Sequence, residues 1–145
     1  MKIKDAMSRN VKIASPTTTL KDIAALMCDC DTGFIPVAED DRLVGTVTDR
    51  DIVVRAVADG KDVRTTEVCS VMSEHVAWCY EDQDIEEAAD CMAEKQVRRL
   101  AVLNRDKRLV GVISLGDIAE RTHHRPMVGQ ALEGVSRPSG ASRQM

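Results

Sequence analysis

Arg42-Leu43-Val44-Gly45-Thr46-Val47-Thr48-Asp49-Arg50-Asp51-Ile52 returns later in the chain as Arg108-Leu109-Val110-Gly111-Val112-Ile113-Ser114-Leu115-Gly116-Asp117-Ile118. Each stretch reads as an apolar strand running into a helix start. A glycine sits inside the strand, and a hydroxyl precedes an acid by three residues. Outward from this pair the duplication continues. Ala6-Met7-Ser8 matches Val71-Met72-Ser73, and Leu20, Ile23, Ala24 and Met27 match Ile85, Ala88, Ala89 and Met92. Ile35-Pro36-Val37 matches Leu100-Ala101-Val102, and one extra residue lies between Val102 and Arg108, where a loop tolerates it.

Each copy spells the same string of elements. Short extended runs, Val11 to Ala14 and Val76 to Cys79, precede helix starts at Thr19-x-x-Asp22 and Asp84-x-x-Glu87. The apolar spacing from Leu20 and from Ile85 turns one face of each helix inward. Strands follow over Phe34 to Ala38 and Leu43 to Thr48, and over Leu100 to Leu103 and Leu109 to Ser114. Closing helices run from Ile52 to Ala58, stopped by Asp59-Gly60, and from Ile118 onward. The fold class expected is therefore mixed α/β (α+β): two tandem β-α-β-β-α repeats packed as one pseudo-twofold domain. The expected divisions are repeat 1 over 1–62, repeat 2 over 63–121, and a partly disordered tail over 122–145. Within that tail Met127 to Val135 has helix-like spacing that suits docking on the body or on a partner.

Composition narrows the function. The 145 residues are 43% apolar and 30% charged, an ordinary globular balance. Net charge is −4. Four arginines against one glutamate in 121–145 place +3 there, which leaves −7 on residues 1–120. An acidic body with one Phe, one Trp and one Tyr suits neither phosphate neutralisation nor base stacking, so no nucleic-acid partner is expected. The longest apolar run, Ile23 to Cys28, falls far short of the ~20 residues that span a bilayer, so no membrane partner is expected either. Five cysteines at irregular spacing and no apolar leader point to reduced thiols in the cytoplasm. Cys28-Asp29-Cys30 with His75, His123 and His124 lacks any metal-ligand spacing, so no metal is expected. No nucleophile elbow, phosphate loop or H-E-x-x-H occurs, so no catalytic residue is assigned.

The junctions Gly45-x-x-Thr48-x-x-Asp51 and Gly111-x-x-Ser114-x-x-Asp117 are complete as helix caps. They also place free amides, a hydroxyl and a carboxylate where an anion and a ribose diol can be met. Behind apolar strands, twice and in register, they resemble paired CBS (cystathionine-β-synthase) domains, the Bateman module, over about residues 3–121. The resemblance is to the stand-alone two-repeat proteins. It implies adenosyl-ligand binding in the cleft between the repeats, with AMP, ADP or ATP as first candidates and S-adenosylmethionine or NAD behind them. No cofactor is required. By the same resemblance Asp51 and Asp117 hold ribose hydroxyls, and Thr48 and Ser114 the ribose or α-phosphate. Thr46 and Val112 line the adenine pocket with Thr32-Gly33 and Val97, and Arg98 and Arg99 meet phosphates. The copies differ, with Arg50 against Gly116 and Gly33-Phe34 against Arg98-Arg99, so the two sites are expected to be unequal.

Two functions from different classes follow. One is a non-enzymatic sensor whose ligand changes what an unknown effector protein reads. The other is a homodimeric interaction module with vestigial sites. For the second, Ile52, Val53, Val54, Val57 and Ala58 cover more of a helix than one core face needs.

Overall fold

The structure, a computed structural model, describes residues 1–138. Among these the order is α1 (Ile3–Ala6), α2 (Leu20–Cys30), β1 (Phe34–Glu39), β2 (Arg42–Thr48) and α3 (Asp49–Ile52), which continues as a π-helical stretch, Val53–Val57. A 3-10 turn, Val68–Ser70, leads to β3 (Trp78–Tyr80), α4 (Ile85–Lys95), β4 (Arg99–Leu103), β5 (Leu109–Ser114), α5 (Leu115–Thr122) and α6 (Arg125–Ser136).

The chain forms two compact units that do not follow the repeat border. Among the described residues unit 1 holds Met1–Arg9, Ala77–Arg105 and 110–138; unit 2 holds Asn10–Val76 with Asp106–Leu109. The first nine residues, which head repeat 1 in the sequence, therefore fold with repeat 2. The head of repeat 2 likewise folds with repeat 1. In unit 1 Ile3 N–H donates to the Gln83 carbonyl at 2.8 Å, and Ile85 N–H to the Met1 carbonyl at 3.1 Å. Unit 2 repeats the stitch, with Leu20 N–H on the Thr66 carbonyl at 3.0 Å and Val68 N–H on that of Thr18 at 2.8 Å.

In unit 2, β1 and β2 form an antiparallel hairpin with Phe34 opposite Thr48 and Glu39 opposite Arg42. Its two turn residues, Asp40 and Asp41, have φ of 53° and 64°, the left-handed pair that suits the right-handed twist of a tight hairpin. The core gathers Leu20, Ile23, Ile35, Val37, Val47 and Val71. The strand expected over Val11 to Ala14 is reduced to one bridge, Ala14 with Val37. The cause is local. In unit 1 the Ala101 amide donates to the Ala77 carbonyl at 3.3 Å; the matching residue in unit 2 is Pro36, which has no N–H to give Lys12.

In unit 1 a three-stranded sheet has the order β3-β4-β5, with β3 parallel to β4 and Cys79 opposite Val102. Ile3, Ile85, Met92, Leu100, Ile113 and Ile118 are fully or almost fully buried there. Arg105 lies 3.9 Å over the Tyr80 ring and clasps Asp82 with two 2.8 Å hydrogen bonds, which hold that carboxyl below its ordinary range. Part of the expected tail is ordered structure. Residues Met127 to Val135 lie inside α6, which buries Ala131, Gly134 and Val135; residues 139–145 lie outside the described residues. Because α6 packs on α4, Ala89 is 2% exposed, whereas its counterpart Ala24 on α2, expected to face inward, is exposed.

The strand glycines admit the exchanged segments. A Cβ on Gly111 would lie 2.6 Å from the Ser8 carbonyl oxygen, and one on Gly45 would lie 2.7 Å from Met72 Sδ and 2.8 Å from the Ser73 carbonyl oxygen. Gly111→Ala is expected to cost about 1–3 kcal/mol in urea denaturation. Gly129→Ala, whose Cβ would meet nothing within 4 Å in α6, should be neutral or stabilising by about 0.5–1 kcal/mol.

Candidate functional site

Both strand-to-helix junctions carry a reciprocal cap. In unit 1 Ser114 N–H donates to Asp117 Oδ2 at 2.9 Å and Asp117 N–H donates to Ser114 Oγ at 3.0 Å. In unit 2 Thr48 N–H donates to Asp51 Oδ2 at 2.9 Å and Asp51 N–H to Thr48 Oγ1 at 3.1 Å. The other helix starts differ. Thr19 Oγ1 accepts from Asp22 N–H at 3.3 Å as expected, but Asp84 does not cap α4 through its side chain; its carboxylate pairs with Lys2 Nζ at 3.1 Å.

The second carboxylate oxygen separates the junctions. Asp51 Oδ1 stands 3.9 Å from Arg55 Nε, one helical turn on, and Arg55 Nη1 donates to the Val71 carbonyl at 3.2 Å. Asp117 Oδ1 has no such partner among the described residues. Its helix, α5, runs eight residues, against four for α3 before the π-helical stretch begins. Arg55 went unnoticed in the sequence; Arg121 has the same spacing from Asp117 but forms no ion pair with it among the described residues, so spacing alone does not separate the junctions.

The remaining expected residues gather around these caps. Asp49 N–H donates to the Gly33 carbonyl at 3.0 Å, and Leu115 N–H to that of Arg98 at 2.9 Å. Thr32-Gly33 and Val97-Arg98 thus stand beside their own helix starts. Gly33 leaves room for its neighbour: a Cβ there would lie 2.8 Å from the carboxylate of the exposed Asp49 side chain. At the matching position of unit 1, Leu115 turns into the core, and an arginine is accommodated at 98. Thr46 and Val112 each exchange two backbone hydrogen bonds with an exchanged segment, Thr46 with Ser73 at 2.9 and 2.8 Å and Val112 with Ser8 at 3.1 and 2.9 Å. Both are about nine-tenths buried. Arg50, Arg98 and Arg99 are exposed, and their guanidinium groups carry no ion pair among the described residues.

Other chemistry is thin. Burial pushes the Cys79 thiol up to about 12, with Cys91 adding to the shift, which makes it a poor nucleophile. A hollow lined by Met1, Asp84, Glu86, Thr122, His124 and Met127 includes none of the expected site residues. Among the described residues no three His, Cys, Asp or Glu side chains converge as a metal site would need. No helix there is long and apolar enough to cross a membrane.

The CBS domain model matches residues 3–57 and 68–124. The chain belongs to the CBS domain family. It is a mixed α/β tandem CBS pair, similar along nearly its whole length to stand-alone CBS proteins. CBS domain-containing protein YhcV of Bacillus subtilis is 37% identical over 134 residues, 92% of this chain and 94% of that protein. Hypoxic response protein 1 of Mycobacterium tuberculosis is 32% identical over 93% of this chain and 94% of its own. A crystal structure of Hypoxic Response Protein I with two coordinated zinc ions matches at TM-score 0.77 and 34% identity, covering 83% of this chain and 98% of that one. The zinc is a feature of that protein's structure. CBS domain protein PAE2072 of Pyrobaculum aerophilum, complexed with AMP, shares the fold at TM-score 0.79 with 21% identity, covering 89% and 98% of the two chains.

Ser114→Ala removes the hydroxyl that caps α5 and should lower stability by about 0.5–2 kcal/mol in chemical denaturation, with Ser114→Thr recovering most of the loss.

Proposed function

We propose that this CBS pair is a non-enzymatic cytoplasmic sensor of an adenosyl nucleotide, and that the unit 1 junction is its stronger site. The observation that carries this reading is the asymmetry of the two carboxylates. Asp117 is held in place by its Oδ2 and keeps Oδ1 for a ribose hydroxyl, while the same atom of Asp51 faces Arg55. Ser114 and the α5 amides offer donors to an α-phosphate, and Val97 and Val112 offer apolar walls to a purine. Arg98 and Arg99 bring two guanidinium groups without partners of their own, suited to charge on a di- or triphosphate. The AMP complex of PAE2072 supports the ligand class. In unit 2, Thr32, Gly33, Thr46, Thr48, Arg50 and Asp51 form the weaker counterpart.

Calorimetric titration with AMP, ADP, ATP, S-adenosylmethionine and NAD tests this. Binding of at least one adenosyl ligand is expected, and Asp117→Ala should weaken it about tenfold or more, beyond what its stability loss explains. Asp51→Ala should change it by less than about threefold. Absence of binding at millimolar ligand, or equal losses from both variants, overturns the reading.

One observation favours a second role beside the first. Val53, Val54 and Val57, on the π-helical stretch of unit 2, are 57%, 50% and 58% exposed, so they do not belong to that unit's core. A homodimer would cover them and give an effector protein something to read. Sedimentation equilibrium should show a dimer that Val54→Glu with Val57→Glu dissociates; a wild-type monomer at high concentration removes this role.

A further inference from the structure

Helix α6 begins at Arg125, just beyond the stretch matched by the CBS model, and it ends on the loop that opens the unit 1 junction. Gly134 brings the two helix backbones together: a Cβ there would lie 2.6 Å from Ala93 Cβ and 3.1 Å from Ala93 Cα. That approach sets the last carbonyls of α6 beside Gln96. Gln96 closes α4 in the left-handed conformation, φ 55°, and its Nε2 donates to the Gly134 carbonyl at 3.4 Å and to the Arg137 carbonyl at 2.6 Å. One side chain thus caps the end of a second helix, where unpaired carbonyls need donors. The next amide, Val97 N–H, returns to the Met92 carbonyl at 3.0 Å, and the Arg98 carbonyl takes the Leu115 amide at the start of α5. Residues 96–98 are strung between the end of α6 and the cap that holds Asp117.

Unit 2 has the same backbone without the clamp. Asp31 has φ 50°, Thr32 N–H returns to the Met27 carbonyl at 3.0 Å, and Gly33 takes the Asp49 amide. The residue matching Gln96 is an exposed aspartate, which has no hydrogen to donate to a helix end.

We propose that Gln96 is a positioning residue that couples docking of α6 to ligand affinity at the Arg98–Asp117 junction, so that the nucleotide tightens α6 and α6 tightens the nucleotide. The proposal rests on the adenosyl reading above and names how that site is read out. Gln96 does not touch the ligand. It acts through the main chain of Val97 and Arg98, and thermodynamic linkage makes the effect reciprocal.

The test uses the full chain, with AMP and ATP as probes. Gln96→Glu keeps the size of the side chain and turns its donors into acceptors facing carbonyls; Gln96→Lys restores a donor; Gly134→Val separates the helices by bulk. Circular dichroism and urea denaturation establish that each variant is folded. Hydrogen exchange without ligand should quicken about fivefold or more in 125–136 and at the amides of Val97 and Leu115 for Gln96→Glu and Gly134→Val, with α2 unchanged. Affinity for the probe should fall about five- to tenfold in those two variants and return to within about twofold in Gln96→Lys. The probe should slow exchange in 125–136 of the wild type and of Gln96→Lys only. Loosening of α6 with no change at Val97 and Leu115, or affinity that ignores both variants, overturns the coupling while leaving the adenosyl reading intact. A wild type that binds neither probe overturns the adenosyl reading and the affinity coupling with it, and the exchange data then report only whether α6 holds the loop.

Discussion

Close approach of backbone to backbone at Gly45 and Gly111 is the constraint on which both units depend. Each strand glycine leaves room for a Met-Ser segment that heads the opposite sequence repeat, and Thr46 and Val112, next along the strands, pair with its serine. The exchange supplies buried apolar groups that each repeat would otherwise lack, Ile3, Ala6 and Met7 for unit 1 and Val68 and Val71 for unit 2. It also gives the inner strand a hydrogen-bonded neighbour just before the helix cap. Backbone pairing of this kind fixes the geometry of the cap, as the proposed recognition site would require.

Much of this was legible in the sequence because it is local. Hydroxyl-x-x-acid spacing announced the caps at Thr48 and Ser114, and apolar periodicity announced the inward faces of α2 and α4, Ala24 excepted. The in-register duplication of β2 and β5 announced the family. Even the strand that failed carried its warning, since Pro36 stands where the ladder needs an amide. What the sequence could not show is pairing between distant segments. A duplication says that two heads and two bodies exist; it does not say which head joins which body. The glycines were read as room for backbone or ligand, and only the structure assigns that room to Met7-Ser8 and Met72-Ser73. The docking of α6 was open for the same reason: Gly134 and Gln96 look unremarkable until Ala93 and the Arg137 carbonyl are beside them.

The two junctions also show how a duplicated site becomes specialised with few substitutions. Leu115 stands where unit 2 has Asp49, and Arg98 where it has Gly33; Arg55 lies 3.9 Å from Asp51, while Arg121, its match in the second copy, forms no ion pair with Asp117 among the described residues. Each change is small. Together they move positive charge and an available carboxylate oxygen to unit 1, and leave unit 2 with an apolar surface on its π-helical stretch. On the proposed reading, recognition of a small molecule and presentation of a contact surface fall to different copies of one duplicated plan.

The placement of Met1–Arg9 bears on how the protein is made. Ser8 and its partner Val112 lie about a hundred residues apart in the chain, so the segment Met1–Arg9 has no strand to join until the chain through Val112 has been made. Unit 2, drawn mostly from one continuous stretch, has nearly all of its residues sooner. Cutting the gene at the repeat border would therefore yield two fragments, each carrying the wrong leading segment for its own sheet.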